Sequence, residues 1–419
     1  MRRGDHSRDF RKAADIVISQ DFLPVIGGAH AWLYESYRRW KSPVKVLTRA
    51  YSSDPRLAQA EREFDRGEHG SIEILREITP PGELDLLSLP CWKSHLRQLR
   101  SIRRVAGGKP VILHCLRAFP DGFSAALYKR VRPRSALIVV YAHGEELLVA
   151  QSSRQLRFMA RFAYEAADLI IVNSESTRAL VEGLCPRRRV VCVHPGVDPE
   201  RFRTSTQEAA QYRATWGWPA NTIVLSTLAR MEPRKNHSIL VRVVGKLRAD
   251  GIPLALVCAG DGAERARLAE MAAALGLRDW IRFPGAIPEK EKRLLFAATD
   301  IFAMPSIQVG EMIEGFGIVF LEAAAAGVPS VCGNSGGQGE AVLDGQTGIV
   351  VDGRDLKEVA DAVQSLAIDP DLRRRLGNRG RVWAAEHAWD RVVQLTHEAI
   401  HDALSHTPAE GAHAPRPSQ

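Results

Sequence analysis

The sequence predicts an α/β protein with two Rossmann-like domains that face each other across a cleft. Short runs rich in Val and Ile alternate with helix-like stretches along the whole chain, which is typical of parallel, doubly wound sheets. The runs are continuously apolar, as in strands that helices cover on both faces. The length of 419 residues suits two domains of ordinary size. Ligands of such sheets bind beyond the carboxyl ends of the strands, so the cleft is the expected binding site.

The first half of the chain, residues 11–205, contains the first predicted domain. Its β-branched runs predict strands at 15–20, 44–49, 111–116, 136–142, 168–173 and 189–194. Apolar residues at helical spacing predict helices between these strands, at 29–40, 92–105, 152–166 and 175–184.

The second half repeats the alternation and predicts a second domain at residues 218–386. The predicted strands are 222–229, 254–259, 280–283, 300–304, 329–332 and 348–351. The predicted helices are 237–249, 263–275, 289–298, 317–326, 355–367 and 371–385. Residues 196–220 are rich in turn formers and predict the linker between the domains.

The two ends of the chain differ from the rest. Residues 387–404 have the pattern of an amphipathic helix. The Pro-, Ala- and His-rich segment 406–419 is predicted to be disordered, and so are residues 1–10.

The positive charge lies in the first half. The chain carries a net +8, but residues 1–205 alone carry +11, with 34 Lys and Arg against 23 Asp and Glu, and the remainder carries −3. Such an excess fits nucleic acid, an anionic membrane surface, a phosphorylated substrate or simply a solvated surface. The basic segments lack interleaved aromatic residues, and no nucleic-acid-binding motif is present, so we expect no nucleic acid partner.

Several other classes of protein are excluded by what the sequence lacks. No apolar run approaches the roughly 18–20 residues of a membrane span, and the first residues do not resemble a signal peptide. The six cysteines form no C-x-x-C pair, so reduced thiols and a cytoplasmic location are expected. The Asp369-Pro370-Asp371 segment is typical of a helix N-terminus rather than a metal site, and no metal is expected.

The most informative segment is Glu314-Gly315-Phe316-Gly317, which lies between a predicted strand and a helix that contains Glu322. The glycines allow backbone amides to approach a ligand, and the free amides that begin the helix suit a diphosphate. The two carboxylates would contact different parts of one elongated ligand. For Glu314 alone, a simple electrostatic interaction with the helix N-terminus is the commoner explanation. Glu322 precedes an Ala-rich apolar run, where a carboxylate needs a partner.

Two cations form a second candidate group. Arg230 follows a predicted strand, and Lys235 stands where the next helix begins. Cations at the carboxyl end of a strand can neutralise a leaving diphosphate without a metal. Cations in a loop are more often merely solvated, but this position between strand and helix favours a function.

The first domain offers three further candidates. Gly27 and Gly28 follow the first strand like a phosphate-binding turn, although the third glycine of the dinucleotide motif is missing. His143 ends a strand and should face the cleft. A functional and a structural role are equally compatible with this position. His114 ends the preceding strand and is a lesser candidate.

Together these segments resemble the retaining GT-B glycosyltransferases of family four, and in particular bacterial phosphatidylinositol mannosyltransferase-like enzymes. The resemblance covers roughly residues 12–404. It rests on the glycine pair after the first strand and on ADLIIVNSESTR, HPGVDPERF, LARMEPRKNH, GDG at 260–262, FPGAIP and the E-x(7)-E spacing from Glu314 to Glu322. NSGGQGEAV departs from the family, in which Pro commonly precedes the glutamate that is Glu340 here.

The resemblance implies a role for each matching position. Glu314 would bind the donor sugar's hydroxyls, and Glu322 the ribose of the nucleotide. Arg230 and Lys235 would hold the diphosphate. The remaining contacts would come from the amides near Phe316, Gly317 and Ile318, from Gly315, from Gly27 and Gly28, from loop backbone at Gly262, and from His143 beside the sugar. It also implies that no metal is needed and that the last helix, within 387–405, crosses back to the first domain.

The sequence therefore predicts a metal-independent, retaining hexosyltransferase that uses a nucleotide sugar. GDP-mannose is the expected donor, with a UDP-hexose as the alternative. The expected acceptor is lipid-linked or a polysaccharide precursor, at the inner face of an anionic membrane that attracts the basic first half. Alternatives from other classes are an inactive sugar-nucleotide-binding protein of the same fold and an NAD-dependent Rossmann oxidoreductase.

Overall fold

A computed structural model describes residues 10, 13–24, 27–80, 84–133 and 135–405. The two segments predicted to be disordered, 1–10 and 406–419, lie outside the described residues except for Phe10. Within the described part, the chain forms two parallel β-sheets covered by helices, and the α/β, two-domain GT-B architecture is confirmed.

The first sheet has seven parallel strands in the order β3-β2-β1-β4-β5-β6-β7. These are β1 (Ala14–Ser19), β2 (Val44–Arg49), β3 (Ile72–Ile78), β4 (Val111–Cys115), β5 (Ala136–Ala142), β6 (Leu169–Val172) and β7 (Val190–Cys192). The helices are α1 (Gly28–Tyr37), α2 (Pro55–Asp65), α3 (Leu89–Ala106), α4 (Phe123–Val131), α5 (Glu145–Ser152), α6 (Arg154–Ala166) and α7 (Glu175–Leu184). Buried apolar clusters lie on both faces of the sheet. We call residues 13–205 the N-half.

Three features of the N-half differ from the sequence prediction. The edge strand β3 was not predicted, because its face is only partly buried and its side chains include Glu73, Arg76 and Glu77. Helices α2, α4 and α5 were also missed. The helix predicted at 152–166 is α6 alone, because Ser153 is extended and caps it by accepting a hydrogen bond from the Leu156 amide.

The second sheet has six parallel strands in the order β10-β9-β8-β11-β12-β13. These are β8 (Ile223–Leu228), β9 (Leu254–Ala259), β10 (Ile281–Gly285), β11 (Ile301–Met304), β12 (Ser330–Gly333) and β13 (Gly348–Val351). The helices are α8 (Thr206–Ala214), α9 (His237–Ala249), α10 (Arg265–Ala274), α11 (Glu289–Ala297), α12 (Ile318–Ala326), α13 (Gln338–Ala341), α14 (Leu356–Ile368) and α15 (Pro370–Glu386). We call residues 206–386 the C-half.

The segment predicted to be a linker, 196–220, contains the helix α8. Ser205 and Glu208 form a capping box at its start, which stabilises the helix locally. Tyr212 donates a hydrogen bond to Glu291 on α11 (2.8 Å), so α8 packs on the C-half. The limits of the two domains, 11–205 with 387–405 and 218–386, stay a prediction.

The last helix, α16 (Trp389–Ser405), returns to the N-half. Its buried face joins the apolar cluster on one side of the first sheet, and His397 stacks on Trp40 with ring centroids 3.7 Å apart. Just before this helix, the His387 carbonyl accepts a hydrogen bond from the Val197 amide (2.9 Å). The chain thus crosses between the halves twice, and the two crossings lie side by side.

Candidate functional site

The carboxyl ends of the two sheets meet at a cleft with a cavity of about 360 Å³. Nine of the predicted site residues line it: Gly27, Gly28, His143, Arg230, Glu314, Gly315, Phe316, Gly317 and Ile318. A larger cavity of about 900 Å³ lies beside the two crossings, and its lining includes none of the predicted site residues. Since ligands of doubly wound folds bind at the carboxyl ends of strands, the cleft is the candidate site.

The C-half wall of the cleft holds an ion-pair cluster. The Lys235 ammonium donates to the Glu314 carboxylate, and Arg234 Nη1 lies 3.3 Å from the same carboxylate oxygen. Arg230, with a largely exposed side chain, pairs with Glu232 at 2.9 Å. Three cations thus share two carboxylates, and the net positive charge left over suits an anionic ligand.

Burial and charge act in opposite directions on this cluster. Burial lowers the pKa of Lys235, and the Glu314 carboxylate only partly offsets this. Burial alone would raise the pKa of Glu314, but Lys235 and Arg234 outweigh it and hold the pKa below its ordinary value. Glu314 is therefore ionised at neutral pH.

Helix α12 begins at the cleft, directly after this cluster. Its N-cap, Gly317, has φ = 92°, a left-handed conformation that favours glycine, and no side chain caps the first amides. Gly315 is equally constrained, because a Cβ there would lie 2.2 Å from the His143 carbonyl oxygen. Across the cleft stands the N-terminus of α1, where a Cβ on Gly28 would lie 3.9 Å from the Ile318 side chain. Two helix N-termini therefore face the same space, which favours a negatively charged group.

Three predicted residues do not line the cavity within the described part of the chain: Lys235, Glu322 and Gly262. Glu322, on α12, pairs with Lys292 at 2.6 Å, which provides the partner that a half-buried carboxylate needs. Gly262 lies against the loop that carries Arg230, since a Cβ would stand 2.6 Å from the Met231 carbonyl.

On the N-half wall, the His143 ring is held by the protein itself. Its Nε2 lies 2.9 Å from the Leu116 carbonyl, which can only accept, so Nε2 carries the proton. Burial, with the nearby Arg117 charge, lowers the pKa of His143 to about 3. Its backbone carbonyl accepts a hydrogen bond from Asn173 (3.3 Å) and points to Gly315 in the C-half. His143 thus presents its carbonyl to the loop of residues 314–317, while its ring is neutral.

The sequence prediction missed several polar residues of the site. Arg234 and Lys292 are the ion-pair partners of Glu314 and Glu322, and Arg117 and Asn173 line the cleft. Arg234 adjoins Lys235 in the PRK turn, and Arg117 follows β4 by two residues, so position after a strand was an available signal. The lesser candidate, His114, instead pairs with Asp15 inside the N-half (3.0 Å).

The Asp369-Pro370-Asp371 segment is a helix N-terminus, as predicted. The Asp369 carboxylate accepts from the amides of Asp371 and Leu372 (3.0 and 2.8 Å), capping α15. Among the described residues, one group of three metal-ligating side chains comes together, Cys192, His194 and Glu340, whose ligand atoms lie within 4.8 Å of one another.

Comparison with known families matches both halves. Residues 26–201 match the family described as "Glycosyltransferase Family 4", and residues 208–383 match "Glycosyl transferases group 1". The chain is 34% identical, over 89% of its length and 94% of the relative's, to the GDP-mannose-dependent alpha-(1-6)-phosphatidylinositol monomannoside mannosyltransferase of Mycolicibacterium smegmatis. It is 35% identical, over 58% of its length and 59% of the relative's, to the D-inositol 3-phosphate glycosyltransferase of Corynebacterium jeikeium.

Solved structures with the same fold share little sequence with this chain. Anabaena Alr3699/HepE in complex with UDP superposes with a TM-score of 0.75 at 19% identity, covering 93% of this chain and 100% of that one. Sucrose-phosphate synthase from Thermosynechococcus elongatus gives 0.74 at 20% identity, covering 94% of this chain and 100% of that one. The fold, the two family matches and the mannosyltransferase relative agree: this chain belongs to the GT-B glycosyltransferases of family four, and it is a hexosyltransferase.

Proposed function

We propose that the chain transfers mannose from GDP-mannose to a lipid-linked or polysaccharide-precursor acceptor, with retention of the anomeric configuration and without a metal. The observation that carries the proposal is the buried Lys235–Glu314–Arg234 cluster beside the start of α12. Such a cluster can hold a sugar diphosphate and stabilise the charge on its leaving group. The Mycolicibacterium relative, whose name specifies GDP-mannose, supports this donor.

In this proposal the donor lies along the C-half wall. Arg230 and Lys235 bind the diphosphate, together with the amides that begin α12 and those at Gly27 and Gly28. Glu314 accepts hydrogen bonds from the sugar hydroxyls, and Glu322 from the ribose. Loop backbone near Gly262 would contact the base.

The transfer itself breaks the bond between the sugar C1 and the phosphate oxygen and forms a bond from C1 to the acceptor oxygen on the same face. The acceptor proton passes to the leaving phosphate. The protein supplies position and charge stabilisation rather than a base. The neutral His143 ring, with its Nε2 proton already donated to Leu116, fits this assignment.

A UDP-hexose remains the alternative donor, since structural neighbours of this chain contain UDP and UDP-glucose. The family assignment argues against the two alternatives from other classes, the NAD-dependent oxidoreductase and the inactive binding protein.

Thermal shift with GDP-mannose, UDP-glucose, UDP-GlcNAc, GDP, UDP and NADH tests the donor, because a ligand that binds only the folded state raises the Tm. We expect GDP-mannose and GDP to give the largest shifts, and radiolabelled GDP-mannose to label a membrane lipid extract. A Tm shift with UDP-sugars alone would show that the donor is a UDP-hexose rather than GDP-mannose. Binding without any release of nucleotide would overturn transfer.

We also propose that the N-half docks on an anionic membrane through helix α3. This helix exposes Leu89 (65%) and Leu96 (51%), and Leu87 just before it is 90% exposed. Basic side chains stand on the same exposed face, and a cavity of about 520 Å³ near its end is lined by Arg100, Arg103, Arg104, Lys109 and Arg132. Apolar side chains flanked by cations suit an anionic lipid surface. No helix among the described residues is long and apolar enough to span a membrane.

Flotation with vesicles tests this surface. Each basic residue near an anionic surface is worth about 1 kcal/mol, so Arg97→Glu with Arg100→Glu should abolish most binding to phosphatidylglycerol vesicles. Arg242→Glu, on the exposed face of α9 in the C-half, is the control and should bind normally. Equal binding by both variants, or no effect of salt on the unmodified protein, would contradict the proposal.

A further inference from the structure

A carboxylate of the C-half caps a helix of the N-half. Glu340, on the short helix α13, accepts hydrogen bonds from the backbone amides of Glu175 (2.7 Å) and Ser176 (3.0 Å). These amides begin α7, where the positive end of the helix dipole favours an anion. The bonds join positions 164 and 165 residues apart in the chain. They therefore exist only while the two halves are in contact.

His194, which follows β7 in the N-half, contacts the C-half twice. Its Nε2 lies 3.0 Å from the Glu340 carboxylate, and its ring stacks on Phe316, with centroids 5.1 Å apart and planes 25° from parallel. Phe316 is one of the residues that line the cleft. His194 thus links Glu340 to the loop that contains Glu314 and Phe316.

The same contact continues to Glu314. The Gly337 amide, three residues before Glu340, donates to the Glu314 carbonyl (3.0 Å). A Cβ on Gly337 would lie 2.1 Å from the Gly315 carbonyl oxygen and 2.8 Å from Ser174 Cβ in the N-half. The backbone at Glu314 and Gly315 is therefore packed close to both the Gly337 turn and the start of α7.

We propose that Glu340 and His194 are positioning residues, which hold the two halves closed and thereby place the donor loop, Glu314 to Gly317, against the N-half. Neither residue contacts the reacting atoms in this proposal. The closure of the two halves does not depend on the proposed function. The expected effect of closure on turnover does rest on the proposed function.

Cys192 lies close to Glu340 and His194, and these three side chains could instead bind a cation. The Glu340 oxygens, however, are already occupied by the two amides and His194. Without a cation, burial and the charges of Glu175 and Glu340 raise the pKa of the Cys192 thiol to about 12, and the thiol is protonated. The hydrogen-bonded contact is therefore the use that the geometry favours.

Hydrogen exchange and small-angle scattering on the full chain without ligand test the contact directly. In Glu340→Ala, we expect the amides of Glu175 and Ser176 to exchange at least about tenfold faster and the radius of gyration to rise. The matched control is Glu358→Ala, which removes a carboxylate that accepts from the Asp352 amide (2.8 Å) within the C-half. It should change neither quantity. Unchanged protection at Glu175 and Ser176 in Glu340→Ala would overturn the proposal.

Kinetics then test positioning. If the closed form becomes a minor population, the apparent donor affinity falls by the same factor, so KM for GDP-mannose should rise about tenfold or more. Glu340→Gln, which keeps one accepting oxygen, and His194→Ala should lie between the unmodified enzyme and Glu340→Ala. Kinetics equal to those of Glu358→Ala would contradict the positioning role. If the unmodified chain does not use GDP-mannose, but the Glu175 and Ser176 amides still exchange faster in Glu340→Ala, the proposed function fails. The contact between the two halves is then still supported.

Discussion

The two walls of the cleft differ in how their buried cations and histidines are stabilised. The C-half wall keeps its charges and pairs them, as Lys235 and Arg234 do with Glu314. On the N-half wall the two histidines are neutral instead: burial lowers the pKa of His30 to about 4 and that of His143 to about 3. Both walls also contribute a helix N-terminus through Gly28 and Gly317.

In the proposed reaction, this difference assigns the electrostatic stabilisation to the C-half. A charge that is already desolvated and fixed need not reorganise when a leaving diphosphate develops its charge. The C-half has such charges, whereas His30 and His143 have no charge to offer at neutral pH. The N-half wall therefore contributes shape, backbone dipoles, the exposed Arg117 and the carboxylates of Glu145 and Glu146. Of these two carboxylates, that of the buried Glu146 accepts a hydrogen bond from the His143 amide (2.7 Å). Three substitutions test this division, from the largest expected effect to the smallest.

Replacing Lys235 should have the largest effect. Lys235→Ala removes a buried cation from the proposed diphosphate site, and we expect kcat to fall about 10²–10³-fold, or roughly 2.7–4 kcal/mol. Arg234 still pairs with Glu314, so the fold should survive. The control, Lys246→Ala, removes an exposed ion pair with Asp250 on α9 and should leave turnover unchanged. Normal turnover in Lys235→Ala would contradict the assignment of charge stabilisation to the C-half.

The next test compares two carboxylates that share one lysine. Lys292 pairs with Glu322 (2.6 Å) and with the exposed Glu289 (3.0 Å). If Glu322 also binds the ribose, Glu322→Gln should raise the donor KM about tenfold, the worth of roughly one charged hydrogen bond. Glu289→Gln should change KM less than twofold. Equal effects would show that both act only through Lys292.

The smallest effect concerns acid stability and belongs to the N-half wall. The pKa of His143 is lowered on folding, so the unfolded chain binds a proton below its ordinary pKa near 6.5 and the folded chain does not. Stability is therefore lost as pH falls from 7.5 to 5.5, by about 1.4 kcal/mol from this residue.

His143→Gln keeps a donor for the Leu116 carbonyl and should remove that part of the loss, measured by denaturant unfolding at both pH values. The control, His401→Gln at an exposed position on α16, should leave the loss of stability at low pH unchanged. The Glu314 cluster should contribute no loss in this range, because the pKa of Glu314 is lowered and its stabilisation disappears only as pH falls below about 4.5. An unchanged pH dependence in His143→Gln would argue against a neutral, buried ring.

The residues that could be predicted from sequence are those whose position follows from local pattern. Buried central strands such as β5 and β9 were predicted at their observed limits, because helices cover both faces and the runs are wholly apolar. The edge strand β3 lacks that signal, since its face stays partly exposed. Helix α8 was hidden within a turn-rich segment, although its Ser205 and Glu208 capping box was visible in the sequence.

The site followed the same rule. Strand ends and glycine turns placed Gly28, Glu314 and Gly317 at the cleft, as the sequence predicted. Pairing between distant segments could not be predicted: nothing local indicates that Lys292 meets Glu322, or that the His143 ring turns toward Leu116. These contacts depend on the tertiary arrangement of loops rather than on any period in the sequence.

The return of α16 to the first sheet has a consequence for how the chain is completed during synthesis. The N-half is translated first, yet one face of its core includes Trp389, Val392 and Ile400 from the last described helix. Until those residues leave the ribosome, the apolar side chains around Trp40 and Val17 lack part of their covering. The half that is made first is thus finished last, and a chain cut before α16 would leave that surface open to aggregation.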